Sequence, residues 1–322
     1  MNFDESYFLP EDRDGFHIKS MMKRYWAANL EVLSTIDRIC RKHHIRYYAD
    51  YGTLLGAVRH GGYIPWDDDI DIAMKRVDYE RFIKIAPAEL PKPMQLFNAK
   101  ETKMWPLRVV STFNTRMDEE FLKRFHYCPY SAGVDVFPLD NIPDDEAERA
   151  NFKGLVFSVD VLENFTNEDF INSQLKKQKN PIELDPDSIN ECIDMVTHRI
   201  DYPLDADKPL APQLTTLSHI LAASYFDKKT IEMANVHDWA LDRSGTFKCE
   251  DYEETIRLPF ESITIPVPKN YDSVLRCIYG DDYMTPKIGT AAHEYPAYCS
   301  LEKGLFDYLT EHNYKIPDFL TI

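Results

Sequence analysis

The chain has 322 residues, 44% of them hydrophobic and 13% aromatic, with 37 Lys and Arg against 54 Asp and Glu and a formal net charge of −17. Such a composition excludes a disordered chain, and its length accommodates one large α/β domain or two smaller ones. The acidic balance argues against a nucleic-acid partner or a broad attraction to anionic membranes, so any positive charge for a phosphate ligand must be supplied locally.

No run of about 18 apolar residues marks a membrane span. The polar, acidic stretch 1–14 lacks the features of a signal peptide, and a cytoplasmic location is expected, peripheral attachment at the inner membrane face included. The cysteines at 40, 128, 192, 249, 277 and 299 form no CxxC pair, which reads as reduced structural thiols rather than a zinc or redox motif.

The first strong pattern is helical: Met22, Trp26, Leu30, Leu33, Ile36, Ile39 and Cys40 recur at three- and four-residue spacing over about 19–44. A short strand is predicted over 45–49. Gly52-Thr53 then opens a short helix over 54–58, and 61–66 reads as a loop punctuated by glycine and proline. A strand is predicted over 69–74, and Tyr79, Phe82, Ile83 and Ala86 give the next helix. Strands follow over 94–99, 107–112 and 133–139. Helical stretches dominate from 144 to 250, notably 152–165 and 217–241. A strand over 262–267 and a helix over 271–279 follow, with Gly280 placed to end the helix through a left-handed cap. The fold class expected is α/β in the α+β sense: a mixed-sheet core over 1–143 plus 255–322, led by the N-terminal helix, with an added helical region over 144–254.

The chemistry is concentrated in Pro65-Trp66-Asp67-Asp68-Asp69-Ile70-Asp71-Ile72. Alternation along a strand puts Asp69 and Asp71 on one face, with Ile70 and Ile72 on the other, toward the core. Two carboxylates about 4 Å apart repel by about 4 kcal/mol at an effective dielectric near 20. A hard divalent cation, Mg²⁺ or Mn²⁺, removes that penalty. An acidic run is ordinarily a solvated surface, and the alternation with isoleucine is what argues otherwise. A calcium-binding EF-hand loop starting at Asp67 fails, because its sixth position would be Ile72 and its twelfth Asp78. Asp135, a lone acid between Val134 and Val136, repeats the logic as a third carboxylate, although taken alone it reads more readily as a turn or capping aspartate. Three acids around one or two metals support in-line phosphoryl transfer. Gly52-Thr53 at a helix start suits a phosphate, and Arg59 between that turn and the acids is the best candidate for a phosphate contact.

At these residues the chain resembles the LicD family. The resemblance is carried by Tyr48-Ala49-Asp50-Tyr51-Gly52-Thr53-Leu54-Leu55-Gly56-Ala57-Val58-Arg59-His60, by Gly62 through Ile72, and by Asp135-Val136-Phe137-Pro138-Leu139-Asp140. Near the C-terminus it is carried by Pro266-Val267-Pro268, Tyr271, Leu275 and Tyr279-Gly280-Asp281-Asp282-Tyr283-Met284. It implies a nucleotidyltransferase-like fold and transfer of a phospho-alcohol group, phosphocholine first, from CDP-choline or another CDP-linked alcohol. The acceptor it implies is a sugar or surface glycan, lipid-linked ones included, of the lipopolysaccharide or teichoic acid kind, with release of CMP. Gly52-Thr53 then stands for the family's Gly-Ser/Thr turn, Asp69 and Asp71 for its metal pair, and Asp135 for its third acid, as second-metal ligand or proton acceptor. Asp67 is expected to support the ligands from behind. Two rival readings are an Asp-x-Asp glycosyltransferase using a nucleotide sugar and a non-catalytic protein that binds glycan or nucleotide. The long helix and single strand before the acids argue against the first, and the intact acidic triad against the second.

Overall fold

The computed structural model describes residues 1–97, 107–166, 190–288 (apart from 192, 195, 199–201 and 206) and 295–320. The chain divides into two compact units, residues 1–98, 105–138 and 251–322 in one and 99–104 with 139–250 in the other.

The first unit is built on the helix α1, Ser20–Lys42, whose apolar residues are almost all removed from solvent: Trp26, Leu30, Leu33, Ile36 and Ile39 are each 0% exposed. Arg41 and Lys42 in its last turn complement the negative end of the helix dipole. A hairpin of β1 (Glu11–Arg13) and β2 (Phe16–Ile18) precedes it. The sheet behind α1 runs in the order β3-β4-β7-β6-β5, with β3 as Tyr48–Ala49, β4 as Asp71–Lys75, β5 as Gln95–Phe97, β6 as Leu107–Val110 and β7 as Gly133–Asn141. β3 pairs β4 antiparallel, and β6 pairs both β5 and β7 antiparallel. The helix α2, Tyr51–Arg59, follows β3 after one residue, and α3, Arg76–Glu89, follows β4 directly. The expected α+β class is what the chain shows.

The chain then returns as a second hairpin, β10 (Thr255–Phe260) with β11 (Ile263–Pro268), and a helix Tyr271–Tyr279. Its turn residue Glu261 locks onto the loop before the acids. The backbone N–H of Glu261 donates to Gly61 O at 2.9 Å, and its carboxylate accepts from the Tyr63 N–H at 3.2 Å and from Arg13 at 2.8 Å. The C-terminal part of the chain is thereby brought to the loop that leads into the acids.

The second unit packs the helices Glu146–Thr166 and Leu210–Ala222 around Val156, Val159, Leu214, Leu217 and Trp239. The end of β7 pairs there with β8, Glu232–Ala234, which pairs with β9, Phe247–Lys248.

Among the described residues several predicted elements differ from the structure; the strand expected over 45–49, for one, is observed as Tyr48–Ala49. The helical stretch predicted over 217–241 ends at Ala222 and resumes only at Val236–Ala240, with β8 between, because the polar run Asp227-Lys228-Lys229-Thr230 gives a helix no apolar face to bury. The strand predicted from 69 starts at Asp71, leaving Asp69 in the loop before it. The strand over 94–99 is observed as Gln95–Phe97, and residues 98 and 99 lie outside the described residues. Gly280 does end its helix with φ +84°, but its ψ of 178° lies in the extended region open essentially to glycine alone, not in the left-handed helical one.

One side chain joins the acid loop to the sheet. Asn29, 0% exposed on α1, donates to Asp68 O at 2.9 Å and accepts the Gly133 N–H at 2.8 Å. Asn29→Leu should strip both buried backbone groups of their partner, at about 1–3 kcal/mol each, for about 2–6 kcal/mol of lost stability. Urea denaturation reads this as a lower midpoint, and an unchanged midpoint would mean that the two groups are satisfied otherwise.

Candidate functional site

The acids are assembled where β3 enters α2 and where the loop 61–70 enters β4. Asp50 caps α2, its carboxylate accepting the Tyr51 N–H at 3.0 Å, while its own N–H donates to Asp71 O at 3.0 Å. Thr53 completes the junction: its hydroxyl oxygen accepts the Asp71 N–H at 2.8 Å, and the residue is 3% exposed. The Thr53 side chain therefore joins the helix start to the acidic strand, and the backbone of Gly52 is the part of the turn open to a ligand. Tyr51 at the corner has φ +39°, a backbone position that costs a residue with a Cβ about 1–2 kcal/mol. A Cβ at Gly52 would lie 2.4 Å from Asp67 Oδ2, so a side chain there would displace the Asp67 carboxylate.

Helix α1 holds the acid loop from below with neutral donors. Trp26 Nε1 donates to Asp67 O at 2.9 Å, its ring stacks on Tyr63 at 4.6 Å, and Asn29 holds Asp68 O. Ligand oxygens of Asp67, Asp68 and Asp69 lie within 4.8 Å of one another, and among the described residues they form the group with the spacing of a metal site. Asp68 is fully buried, and its Oδ2 accepts the Ala297 N–H at 2.7 Å.

Asp71 and Asp135 stand beside that group. The Asp135 N–H donates to Ile70 O at 2.9 Å, which puts β7 next to the acid strand. Ile70, Ile72, Val134 and Val136 are each 0% exposed, so the alternation read from the sequence holds on both segments. Burial, followed by the charges of Asp69, Asp135, Asp67 and Asp50, pushes the Asp71 carboxyl well above the usual carboxylate range. Asp67 is pushed up in the same way, by burial and then by Asp69. Carboxylates crowded this closely offer only oxygen ligands, with a charge excess that a hard divalent cation would neutralise, so the donor set fits Mg²⁺ or Mn²⁺.

Arg108 supplies a countercharge to this cluster. It lies opposite Asp135 in the register of β6 and β7, and its Nε is 2.7 Å from Asp135 Oδ1. Burial alone would lower the Arg108 pKa, but Asp135, with Tyr25, Asp69 and Asp71 adding to it, raises it. Arg108 was not among the sequence candidates. The signal was present, since it is a lone charge in Leu107-Arg108-Val109-Val110, the same pattern that singled out Asp135.

Beside the acids lies a cavity of about 270 Å³. Gly52, Arg59 and Asp67 line it from one side, and Tyr279, Tyr283 and Lys287 from the other. Arg59 is fixed by donating to Tyr283 O at 2.9 Å. Burial, then the charges of Asp67, Asp50 and Asp71, pushes the Tyr279 phenol up. Tyr279, Tyr283 and Lys287 come from beyond the second hairpin, and no local pattern assigned them a role.

Clustered carboxylates on and beside two neighbouring strands of the sheet, a strand–helix corner at Gly52 and a cavity carrying Arg and Lys thus lie together in the first unit. Residues 44–176 match the family described as LicD/FKTN/FKRP, nucleotidyltransferase domain. It is 46% identical over 67 residues to the lipopolysaccharide cholinephosphotransferase LicD of Haemophilus influenzae, covering 21% of this chain and 25% of that protein. Uncharacterised proteins of Rickettsia typhi and Rickettsia prowazekii are 39% and 40% identical over 74 and 72 residues, covering 21% and 20% of this chain and 24% and 27% of theirs. The matches thus span about a quarter of the length of each relative.

The raised Asp71 carboxyl gives a pH test. Its folded-state pKa lies above the unfolded value of about 3.9, so the folded state keeps the proton longer. This contribution to stability is fully present below that pH and is lost as pH rises toward the folded pKa. Asp71→Asn removes the loss. In chelator, the variant should gain on wild type as pH climbs above about 4, by at most about 1.4 kcal/mol per pH unit. Denaturation of both proteins across that range reads the difference, and a gap that does not widen with pH would remove the crowding of charge on Asp71.

Proposed function

We propose that the chain transfers a phospho-alcohol group from a CDP-linked donor to a hydroxyl of a cell-surface glycan, releasing CMP, with phosphocholine as the first candidate group. The observation that carries this reading is the gathering of Asp67, Asp69, Asp71 and Asp135 beside a cavity that carries Arg59 and Lys287. The likeness to a lipopolysaccharide cholinephosphotransferase supports the choice of group and acceptor.

Asp69, Asp71 and Asp135 would hold Mg²⁺ or Mn²⁺, with Asp67 and Asp68 completing the acidic wall. When bound, such an ion neutralises charge on a diphosphate and lowers the barrier to in-line displacement. The backbone at Gly52 and the start of α2 face the donor phosphate with N–H groups, Arg59 adds a fixed cation, and Tyr279 closes the cavity. The acceptor oxygen bonds to the phosphorus distal to cytidine as the bridging P–O bond breaks. The bonding pair leaves with CMP, and the hydroxyl proton passes to a carboxylate of the cluster. The ion pair with Arg108 gives Asp135 a charge-balancing part, which favours the ligand role for it over that of proton acceptor. The helical region 144–254 is assigned to the more distant part of the acceptor. A cytoplasmic protein acting at the inner membrane face fits this reading, and no described helix is long and apolar enough to cross a membrane.

The test is CMP release from CDP-choline, CDP-ribitol and CDP-glycerol, with Mg²⁺ or Mn²⁺ and a glycan acceptor. Asp69→Asn should lower kcat/KM by about two orders of magnitude or more while circular dichroism stays that of wild type, since each decade corresponds to about 1.4 kcal/mol of transition-state stabilisation. Turnover that survives Asp69→Asn, or a wild-type chain that releases CMP from none of the donors, would reject the reading.

A further inference from the structure

A second cavity, of about 700 Å³, opens in the same unit between β2, the start of α1 and the helix Cys299–Glu311. Its size is within the range of sites that bind small ligands, about 300–1,000 Å³. Its walls combine the half-buried aromatic rings of Phe16, Tyr295 and Phe306 with the charged ends of Lys19 and Glu302. Flat apolar faces beside separate charged hydrogen-bonding groups suit a ligand with one apolar face and an edge of hydroxyls, which describes a pyranose ring.

The position of this cavity relative to the acids is fixed by two connections. Pro296 and Tyr298 form part of its wall, and between them the Ala297 N–H donates to Asp68 Oδ2 at 2.7 Å. The ring of Phe16 packs edge-on against Tyr295 at 5.7 Å and against Trp66 at 6.3 Å, and Trp66 lines the smaller cavity. Asp67 thus lines the smaller cavity, and the wall of the larger one is tied to Asp68 through Ala297. The charges of Asp68 and Asp67 add to burial in pushing the Tyr295 phenol up, consistent with its closeness to the cluster.

We propose that the larger cavity is the acceptor subsite and takes a neutral hexopyranose ring, stacked on Tyr295 and Phe16 with hydroxyls hydrogen-bonded to Glu302 and Lys19. A ring seated there lies beside the segment tied to Asp68, and the donor phosphate is assigned to the cavity that Asp67 lines. The placement of donor and acceptor rests on the transfer reading above, whereas sugar binding by the cavity does not.

The experiment is isothermal titration of the full chain with methyl α-glucoside, methyl β-galactoside and methyl N-acetylglucosaminide, with cyclohexylmethanol as an apolar ring of similar size. At least one glycoside should bind wild type with Kd near 1 mM, and Tyr295→Ala should weaken it by about tenfold, the effect of losing one aromatic contact. Glu302→Gln, a conservative change at a partly exposed position, should weaken it as well and covers the case in which Tyr295→Ala does not fold. Three results would each overturn the proposal: no glycoside binding to wild type, cyclohexylmethanol binding as well as the glycosides, or glycoside binding unaltered in the folded variants. CMP release by wild type, measured in parallel, separates the two ideas. Glycoside binding that falls in the variants, without CMP release from any CDP-linked donor, upholds the cavity's ligand and rejects the donor.

Discussion

Crowding of carboxylates at one point is the constraint on which the rest of the first unit depends. Asp50, Asp67, Asp68, Asp69, Asp71 and Asp135 meet where two strands and a helix start converge, and their mutual repulsion grows as water is excluded. The fold answers with neutral donors and a cation. Asn29 and Trp26 reach up from α1 to the carbonyls of Asp68 and Asp67, Thr53 takes the Asp71 N–H, and Ala297 donates to the Asp68 carboxylate. Arg108 sits across from Asp135. These contacts fix where each acid stands while leaving a charge excess that a divalent ion and an anionic ligand can share.

The same arrangement accounts for positive charge in a chain of net charge −17. Arg59 and Lys287 flank the smaller cavity, and Arg108 enters the acid cluster itself. The C-terminal segment is needed for this, because the hairpin turn at Glu261 binds the loop at Gly61–Tyr63 and the chain beyond it supplies Tyr279, Tyr283 and Lys287. Long-range packing thus completes a site whose central residues are adjacent in sequence.

Local sequence made the acid strand, its helix and its sheet partner legible, because alternation with Ile70, Ile72, Val134 and Val136 survives in the fold even though Asp69 stands just outside the strand. The resemblance carried by the stretch from Tyr48 to Ile72 pointed to the same family that the comparison over 44–176 gives. Partners chosen by tertiary packing were not legible. The pairing of Arg108 with Asp135 depends on the register of β6 and β7, and the hydrogen bond of Thr53 to Asp71 depends on how α2 docks on β4. The strand Glu232–Ala234 was hidden inside an apolar pattern that helix and strand share, and its pairing with β7 and β9 decided between them.

The claim at the centre of this account is that the acid cluster binds a divalent cation. Titrating Mn²⁺ into the chain with CDP present, and following free Mn²⁺ by electron paramagnetic resonance, tests it without any assumption about donor alcohol or acceptor. The account predicts that wild type removes free Mn²⁺ from solution in stoichiometric amounts, that Mg²⁺ competes for the same capacity, and that Asp69→Asn loses it. Free Mn²⁺ that is unaffected by wild type, or that Asp69→Asn removes equally well, would contradict the account.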